Sequence, residues 1–277
     1  MANKLAILVS GPRRYVYDVV CSIDNELSDV DYAFFIHIWK IDIGNKKRNV
    51  ENTDEEIALL KAKPSVVYFE EEAPLNKDEI IAKYGEWTGC PSPVYAIAGM
   101  FYAINKLLNN VDSTEFSHVL RVRTDNVFLD NRVVPPLQSD NVVYTASNPL
   151  LDRALVCDHL MFCDIPSFMK IWGFQNFDDF FNLFNEANRD PELYVAHQIK
   201  RHRLTEHRFW KRYYNYHIVY SPQKPNDPKI LNSITTSSIK SIFSYKFTSV
   251  ERFKLAWSYF IRSRSLIAGV IRRFVDL

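Results

Sequence analysis

Apolar residues in the first third of the chain come in short continuous runs rather than in stripes. Leu5-Ala-Ile-Leu-Val9 and Tyr32-Ala-Phe-Phe-Ile-His-Ile38 have the form of strands buried on both faces, as a parallel sheet requires. Ser65–Phe69 predicts a third strand, and Glu70-Glu71-Glu72 a solvated acidic turn after it. Between these runs the period changes. An amphipathic helix is predicted over Tyr15–Leu27 and a short helix over Asp54–Lys61, and the polar stretch Lys40–Thr53 reads as a surface loop. Gly89-Cys-Pro-Ser-Pro93 breaks the chain before a long helix, Val94–Asn109, whose largely apolar circumference requires burial. Strand and helix in alternation define a mostly parallel α/β sheet.

That helix delivers the chain into Ser117–Asp130, where period two returns. His118, Leu120 and Val122 alternate with Val119, Arg121 and Arg123, and the strand ends on Thr124-Asp125-Asn126. In an open α/β sheet, ligands sit at the carboxyl ends of strands. Arg121 and Arg123 suit the forked gripping of phosphate, and Asp125 suits hard-oxygen ligation of a divalent cation. An edge strand with solvated arginines and an Asp-Asn turn has the same pattern. Ser10-Gly11-Pro12-Arg13-Arg14 likewise joins a strand to a helix start, where backbone N–H groups and the helix dipole favour an anion. One glycine makes neither a P-loop nor a dinucleotide fingerprint. Two solvated arginines would leave the same trace.

Past Asp130, Pro135-Pro136 marks a turn, Val142–Ala146 a strand and Leu150–Arg153 a loop. Leu155–Asp164 is an apolar strand interrupted by Asp158-His159, and a carboxylate and an imidazole there need partners or a function. Pro166 opens a helix. Two more follow at Phe177–Ala187 and Pro191–Lys200, with Glu192 in the first turn of the second, a place that also suits a simple cap-region charge.

Composition adds scale and compartment. The 277 residues are 47% apolar and 24% charged with a net charge of +1, enough to bury a sizeable core as one large domain or as one domain with an appendage. No whole-molecule field points to nucleic acid. The charge is uneven, however. His197–Lys224 carries seven Lys or Arg against Glu206 alone, interleaved with Phe209, Trp210, Tyr213, Tyr214 and Tyr216. Such a stretch suits a phosphorylated acceptor, single-stranded nucleic acid, or a terminal strand with a solvated basic face; the near-zero net charge favours the acceptor over nucleic acid. Lys240–Leu277 has a local charge of +6. Within it, 253–277 places Trp257, Phe260, Ile261, Ile267, Ile271 and Phe274 at near-helical spacing, the pattern of a membrane-surface anchor or of a docked terminal helix. The expected division is a domain over 1–225 and a basic amphipathic segment over 226–277. Cys21, Cys90, Cys157 and Cys163 lack zinc-type spacing and fit buried reduced thiols. No signal peptide is visible and no apolar run approaches a span of ~20 residues, so the expected location is cytoplasmic, with peripheral attachment to the inner face of the membrane.

Taken in order, Ser10-Gly11-Pro12-Arg13, Phe34-Phe-Ile-His-Ile-Trp39, Arg121-x-Arg-Thr-Asp-Asn126, Asp158-His-Leu-Met-Phe162 and Pro191-Glu192 form a series over roughly residues 4–200. The series resembles bacterial lipopolysaccharide and capsular polysaccharide glycosyltransferases of the GT-A type. The resemblance implies a GT-A-like (Rossmann-like) sheet, a nucleotide-sugar donor, Mg2+ or Mn2+, and a surface-polysaccharide or lipid-linked acceptor. It implies that Ser10, Gly11, Arg13, Arg14, Arg121, Arg123, Thr124 and Asn126 face the donor and that Asp125 holds the metal. Asp158 would be the base for the acceptor hydroxyl, with Glu192 as the alternative. Where the fold carries Asp-x-Asp this chain has a single aspartate, because Val127 follows Asn126. Two other classes fit the same residues: a nucleotidyltransferase of sugar metabolism, and a non-catalytic nucleic-acid- or membrane-binding protein.

Overall fold

The computed structural model describes residues 4–27, 30–40, 52–86, 93–128, 133–135, 141–147, 155–187, 189–211 and 215–218. The basic tail, including 253–277, lies outside the described residues, as do Cys90, Asp130 and most of the loop expected at 40–53.

The first three strands, β1 (Lys4–Pro12), β2 (Tyr32–Trp39) and β3 (Val66–Glu72), pair in parallel and are joined through α1 (Val16–Glu26) and α2 (Asp54–Lys61). The chain then forms α3 (Lys77–Tyr84) and α4 (Val94–Leu108) and returns as β4 (Phe116–Arg123) on the other side of β1. After the short β5 (Asn126–Phe128) come β6 (Val142–Ser147) and β7 (Cys157–Asp164), then α5 (Ile165–Trp172), α6 (Phe177–Glu186), α7 (Pro191–Arg201) and β8 (Thr205–Lys211). The seven-stranded order is β3-β2-β1-β4-β7-β6-β8, and β7 alone runs antiparallel to its neighbours. The sheet is therefore mixed α/β and mostly parallel, as the alternation of elements predicted.

Period-two alternation explains the two cores. Leu5, Ile7, Val9, Phe34, Ile36, Leu120 and Val122 face α1 and α2, while Ala6, Leu8, Phe35 and Val119 face α4 and α5. Burial of both faces is why these strands read as unbroken apolar runs. β4 is the central strand, so the edge-strand reading of its arginines fails: Arg121 points into the second core and is 0% exposed.

Helix termini are set by local chemistry. Thr53 and Glu56 close a capping box on α2, worth ~1 kcal/mol. Asp190 caps α7 by accepting from the Leu193 N–H at 2.9 Å, with Pro191 at its first turn. No apolar stripe announces α3, which buries none of its residues.

The acidic turn expected at Glu70-Glu71-Glu72 is instead the end of β3, in register with His37-Ile38-Trp39. Each glutamate meets a cation there, Glu71 the Arg13 side chain and Glu70 and Glu72 the Lys106 amine. Near the end of the described residues, β9 (Tyr216–Ile218) returns to pair with β5. Trp210 and Tyr216 are wholly buried, so these two aromatics of the basic stretch belong to the core rather than to an exposed stacking platform.

Candidate active site at the carboxyl ends of the central strands

Strand order reverses between β1 and β4: the chain winds outward from β1 through β2 and β3, then resumes on the opposite side. Such a switch point opens a crevice at the carboxyl ends of the two strands. Here Ser10 stands opposite Arg123, and the Thr124 N–H donates to the Ser10 carbonyl at 3.3 Å. Gly11 has φ 152°, and a Cβ there would lie 2.4 Å from Thr124 Oγ1. Backbone conformation and close approach both require glycine. Tyr15 takes the left-handed conformation (φ 54°) at the start of α1, a strained choice for a bulky residue that fixes the turn carrying Arg13 and Arg14.

The two arginines of that turn diverge. Arg14 is buried and donates from Nη2 to Asp125 Oδ2 at 3.1 Å. Arg13 turns outward, with Nε bonded to the Asn52 carbonyl at 3.1 Å, Nη1 to Glu71 at 3.1 Å and Nη2 to Asp54. It ties the turn to α2 and β3. From β4, Arg123 forks onto the same aspartate, Nε to Oδ1 at 3.0 Å and Nη2 to Oδ2 at 3.1 Å. Asn126 donates from Nδ2 to the His159 carbonyl at 2.9 Å, joining this turn to the start of β7. The structure thus gathers Ser10, Gly11, Arg14, Arg123, Thr124, Asp125 and Asn126 and sends Arg13 elsewhere.

Because β7 runs backwards, its first residues lie beside the carboxyl end of β4, with Leu160 opposite Val122. Asp158 Oδ2 stands 3.8 Å from Arg121 Nη2. The Arg121 guanidinium lies 4.6 Å above the Trp172 ring, and none of its three nitrogens has a hydrogen-bond partner among the described residues. Burial lowers it to about 10 against the pull of Asp158, so it stays cationic at neutral pH. Burying a charge so incompletely paired costs several kcal/mol.

Glu192 completes the group. The helix dipole favours an ionised carboxylate in a first turn by ~0.3–1 kcal/mol. Burial, then the neighbouring Asp158 and Asp190, outweigh it and push Glu192 up to about 8. His159 Nδ1 lies 3.1 Å from the Tyr216 hydroxyl, leaving Nε2 3.7 Å from Asp158 Oδ1. Ligand atoms of Asp158, His159 and Glu192 all lie within 4.8 Å of one another, an oxygen- and nitrogen-donor set that fits a divalent cation. Asp125, whose oxygens are held by arginines, joins no such set among the described residues. A second group of this kind, His37 with Glu70 and Glu72, already has Lys106 bonded to both carboxylates. Trp172 is the part of the site that sequence reasoning missed. Tyr216 counts among the aromatics of the basic stretch, and nothing local marks its contact with His159, 57 residues away.

No family model matches the sequence, and no curated protein matches it. Among solved structures, the catalytic domain of Drosophila β1,4-galactosyltransferase 7 with xylobiose is similar over 75% of this chain and 65% of its own, at 12% identity and TM-score 0.40. This chain therefore spans slightly less than two thirds of that one. A mutant of the same Drosophila enzyme with manganese, UDP-Gal and xylobiose is similar over 82% and 78%, at 12% identity and TM-score 0.41. An active-site mutant of LgtC is similar over 70% and 69%, at 11% identity and TM-score 0.44. Likeness this loose carries no argument about activity.

Proposed function

We propose that the protein transfers a sugar from a nucleotide-sugar donor to a hydroxyl group of a glycan acceptor. One observation carries the reading: at the switch point, cations suited to a diphosphate adjoin the buried Asp158 and the half-buried Glu192, and the Asn126–His159 hydrogen bond joins the two halves. In the step, the acceptor oxygen bonds to the anomeric carbon while the bond from that carbon to the phosphate oxygen breaks. The nucleotide leaves with the electron pair, and the hydroxyl proton passes to Asp158. A base so placed contributes ~10²–10⁴-fold. Glu192 ranks second as base because burial beside Asp158 keeps it largely protonated at neutral pH. A divalent cation held by Asp158, His159 and Glu192 would have to displace the Glu192 proton and leave Asp158 one oxygen to act as base, and would supply Lewis-acid chemistry at that end of the site.

The acceptor we favour is a surface-polysaccharide or lipid-linked glycan met at the inner face of the cytoplasmic membrane. The +6 charge of Lys240–Leu277 supports that choice. No helix among the described residues is long and apolar enough to cross a membrane. The test is incubation with a nucleotide-sugar panel and glycan acceptors. Acceptor-dependent release of nucleoside diphosphate, or of monophosphate from a monophosphate-activated sugar, is the expected result. Pyrophosphate release would mark a nucleotidyltransferase instead, and failure of every nucleotide sugar to raise the melting temperature would leave a binding protein.

A further inference from the structure

A fold under no other demand would not keep a charge at Arg121. The side chain is 0% exposed, and its neighbours in register, Leu8 on β1 and Met161 on β7, are as deeply buried. None of its nitrogens has a hydrogen-bond partner among the described residues, and buried polar groups are rarely left so. Exchanging buried ionic groups for well-packed apolar ones is often neutral or stabilising, so stability would favour apolar side chains at both 121 and 158. In place of an acceptor the guanidinium has a platform. It lies 4.6 Å from the centre of the Trp172 ring, and that indole is itself fixed by donating from Nε1 to Met161 Sδ at 3.0 Å.

Two aspartates at this end of the sheet meet arginines in different ways. Asp125 accepts hydrogen bonds from Arg14 and Arg123. Each such bond occupies a lone pair that a base would need for an incoming proton. Asp158 is 4% exposed, yet its oxygens stand 3.8 Å from Arg121 Nη2 and 3.7 Å from His159 Nε2, both too long for a hydrogen bond. The guanidinium, stacked on Trp172, therefore attracts the carboxylate through the low-dielectric interior without occupying its lone pairs.

Resting on the glycosyl-transfer reading above, we propose that Arg121, held on Trp172, is a positioning residue that fixes the Asp158 carboxylate by charge and leaves an oxygen of it open to the acceptor hydroxyl. Arg121 offers substrate no surface to touch, so it acts on the reaction through Asp158.

The experiment is a double-mutant cycle on the full chain: wild type, Arg121→Met, Asp158→Asn and the pair. It reads initial transfer rates at saturating donor, donor affinity by calorimetry and melting temperature. Arg121→Met should lower kcat by ~10–10²-fold, the size of the effect of a misplaced reacting group, with donor affinity unchanged. In the Asp158→Asn background the same substitution should cost no further rate, because the group it acts through is gone. Each single variant should melt lower than wild type, since each leaves a buried charge unpaired, and the pair should melt higher than either. Arg121→Lys keeps a cation but loses the planar stack, so it should recover part of the rate. The same cycle run with Arg121→Lys decides the matter should Arg121→Met not fold. Equal rate losses in the two backgrounds, or a wild-type rate in Arg121→Met, overturn the proposal while leaving glycosyl transfer intact. Full turnover in Asp158→Asn removes the base and the role of Arg121 with it. If wild type turns over no nucleotide sugar, the functional reading itself falls.

Discussion

Two charged clusters lie near the carboxyl ends of the strands and differ in one respect. In the lateral one, between β2, β3 and α4, every charge is answered. Lys106 bonds Glu70 at 2.7 Å and also Glu72, His37 Nε2 lies 3.2 Å from Glu72, and the Tyr68 hydroxyl meets Glu70. Burial alone would raise Glu72, but its hydrogen bonds, first that from Lys106, hold it at about 2. In the central cluster Arg121 has no hydrogen-bond partner among the described residues, and Glu192 is driven up to about 8. Both clusters have the donor types of a cation site. Only the central one keeps charges in a state that stability alone would not select, and groups perturbed in that way mark places where a fold does chemistry.

The largest effect should come from the centre. Asp158→Asn is expected to lower the transfer rate by ~10²–10⁴-fold while nucleotide affinity stays close to wild type, and to lower the melting temperature because buried Arg121 loses its nearest counter-charge. Initial rates set beside calorimetry decide it; wild-type turnover would move the base to Glu192. Glu192→Gln should be milder, within about tenfold in rate, since one misplaced hydrogen bond rather than the base is lost. The lateral cluster should behave in the opposite way. Lys106→Met leaves two partly buried carboxylates without their cation, so urea unfolding should show a loss of ~1–3 kcal/mol with turnover unchanged. A rate loss matching that of Asp158→Asn would erase the distinction between the clusters.

The smallest effect is a tilt of stability with pH, opposite in sign for the two. Glu72 is depressed from its ordinary 4.5 to about 2, so the unfolded chain takes up the proton first as acid is added. Its contribution is present above roughly pH 5 and disappears as pH falls toward 2. Glu192 is raised from 4.5 to about 8, so the unfolded chain releases its proton first as pH rises. Its contribution is present at low pH and decays between roughly pH 4.5 and 8. Urea midpoints across that range should therefore flatten on the alkaline side in Glu192→Gln and on the acid side in Lys106→Met. An unchanged alkaline slope in Glu192→Gln would show that Glu192 titrates normally.

How much of this was legible in the sequence depends on distance along the chain. Runs such as Leu5–Val9 and the largely apolar circumference of Val94–Asn109 announced β1 and α4 because burial imprints its pattern locally. Asp54–Lys61 was readable to the residue as a short helix, while the capping box that bounds it came from the structure. Alternation in β4 told which residues share a face, but not that both faces are covered, so the depth of Arg121 was hidden. Glu70-Glu71-Glu72 looked solvated because their cations, Arg13 and Lys106, come from elements tens of residues away. The direction of β7 leaves no trace in composition, yet it carries Asp158 to the site. Likewise Asp125 read as a metal ligand on type and position, whereas the two arginines that occupy its oxygens are a fact of the fold.

The Arg14–Asp125 bond spans 111 residues. On a ribosome adding about 5–20 residues per second, the aspartate follows its arginine by roughly 5–20 s. β2 follows soon after β1 and can cover one of its sides, but the other side waits for β4. Through that interval Leu5-Ala-Ile-Leu-Val9, with no exposure in the folded protein, is an apolar strand with an open edge. The residues that complete the crevice also end the period in which the nascent chain is most prone to pair with another copy of itself. Translation through β3, α3 and α4 is therefore the stage at which that edge of β1 stays open.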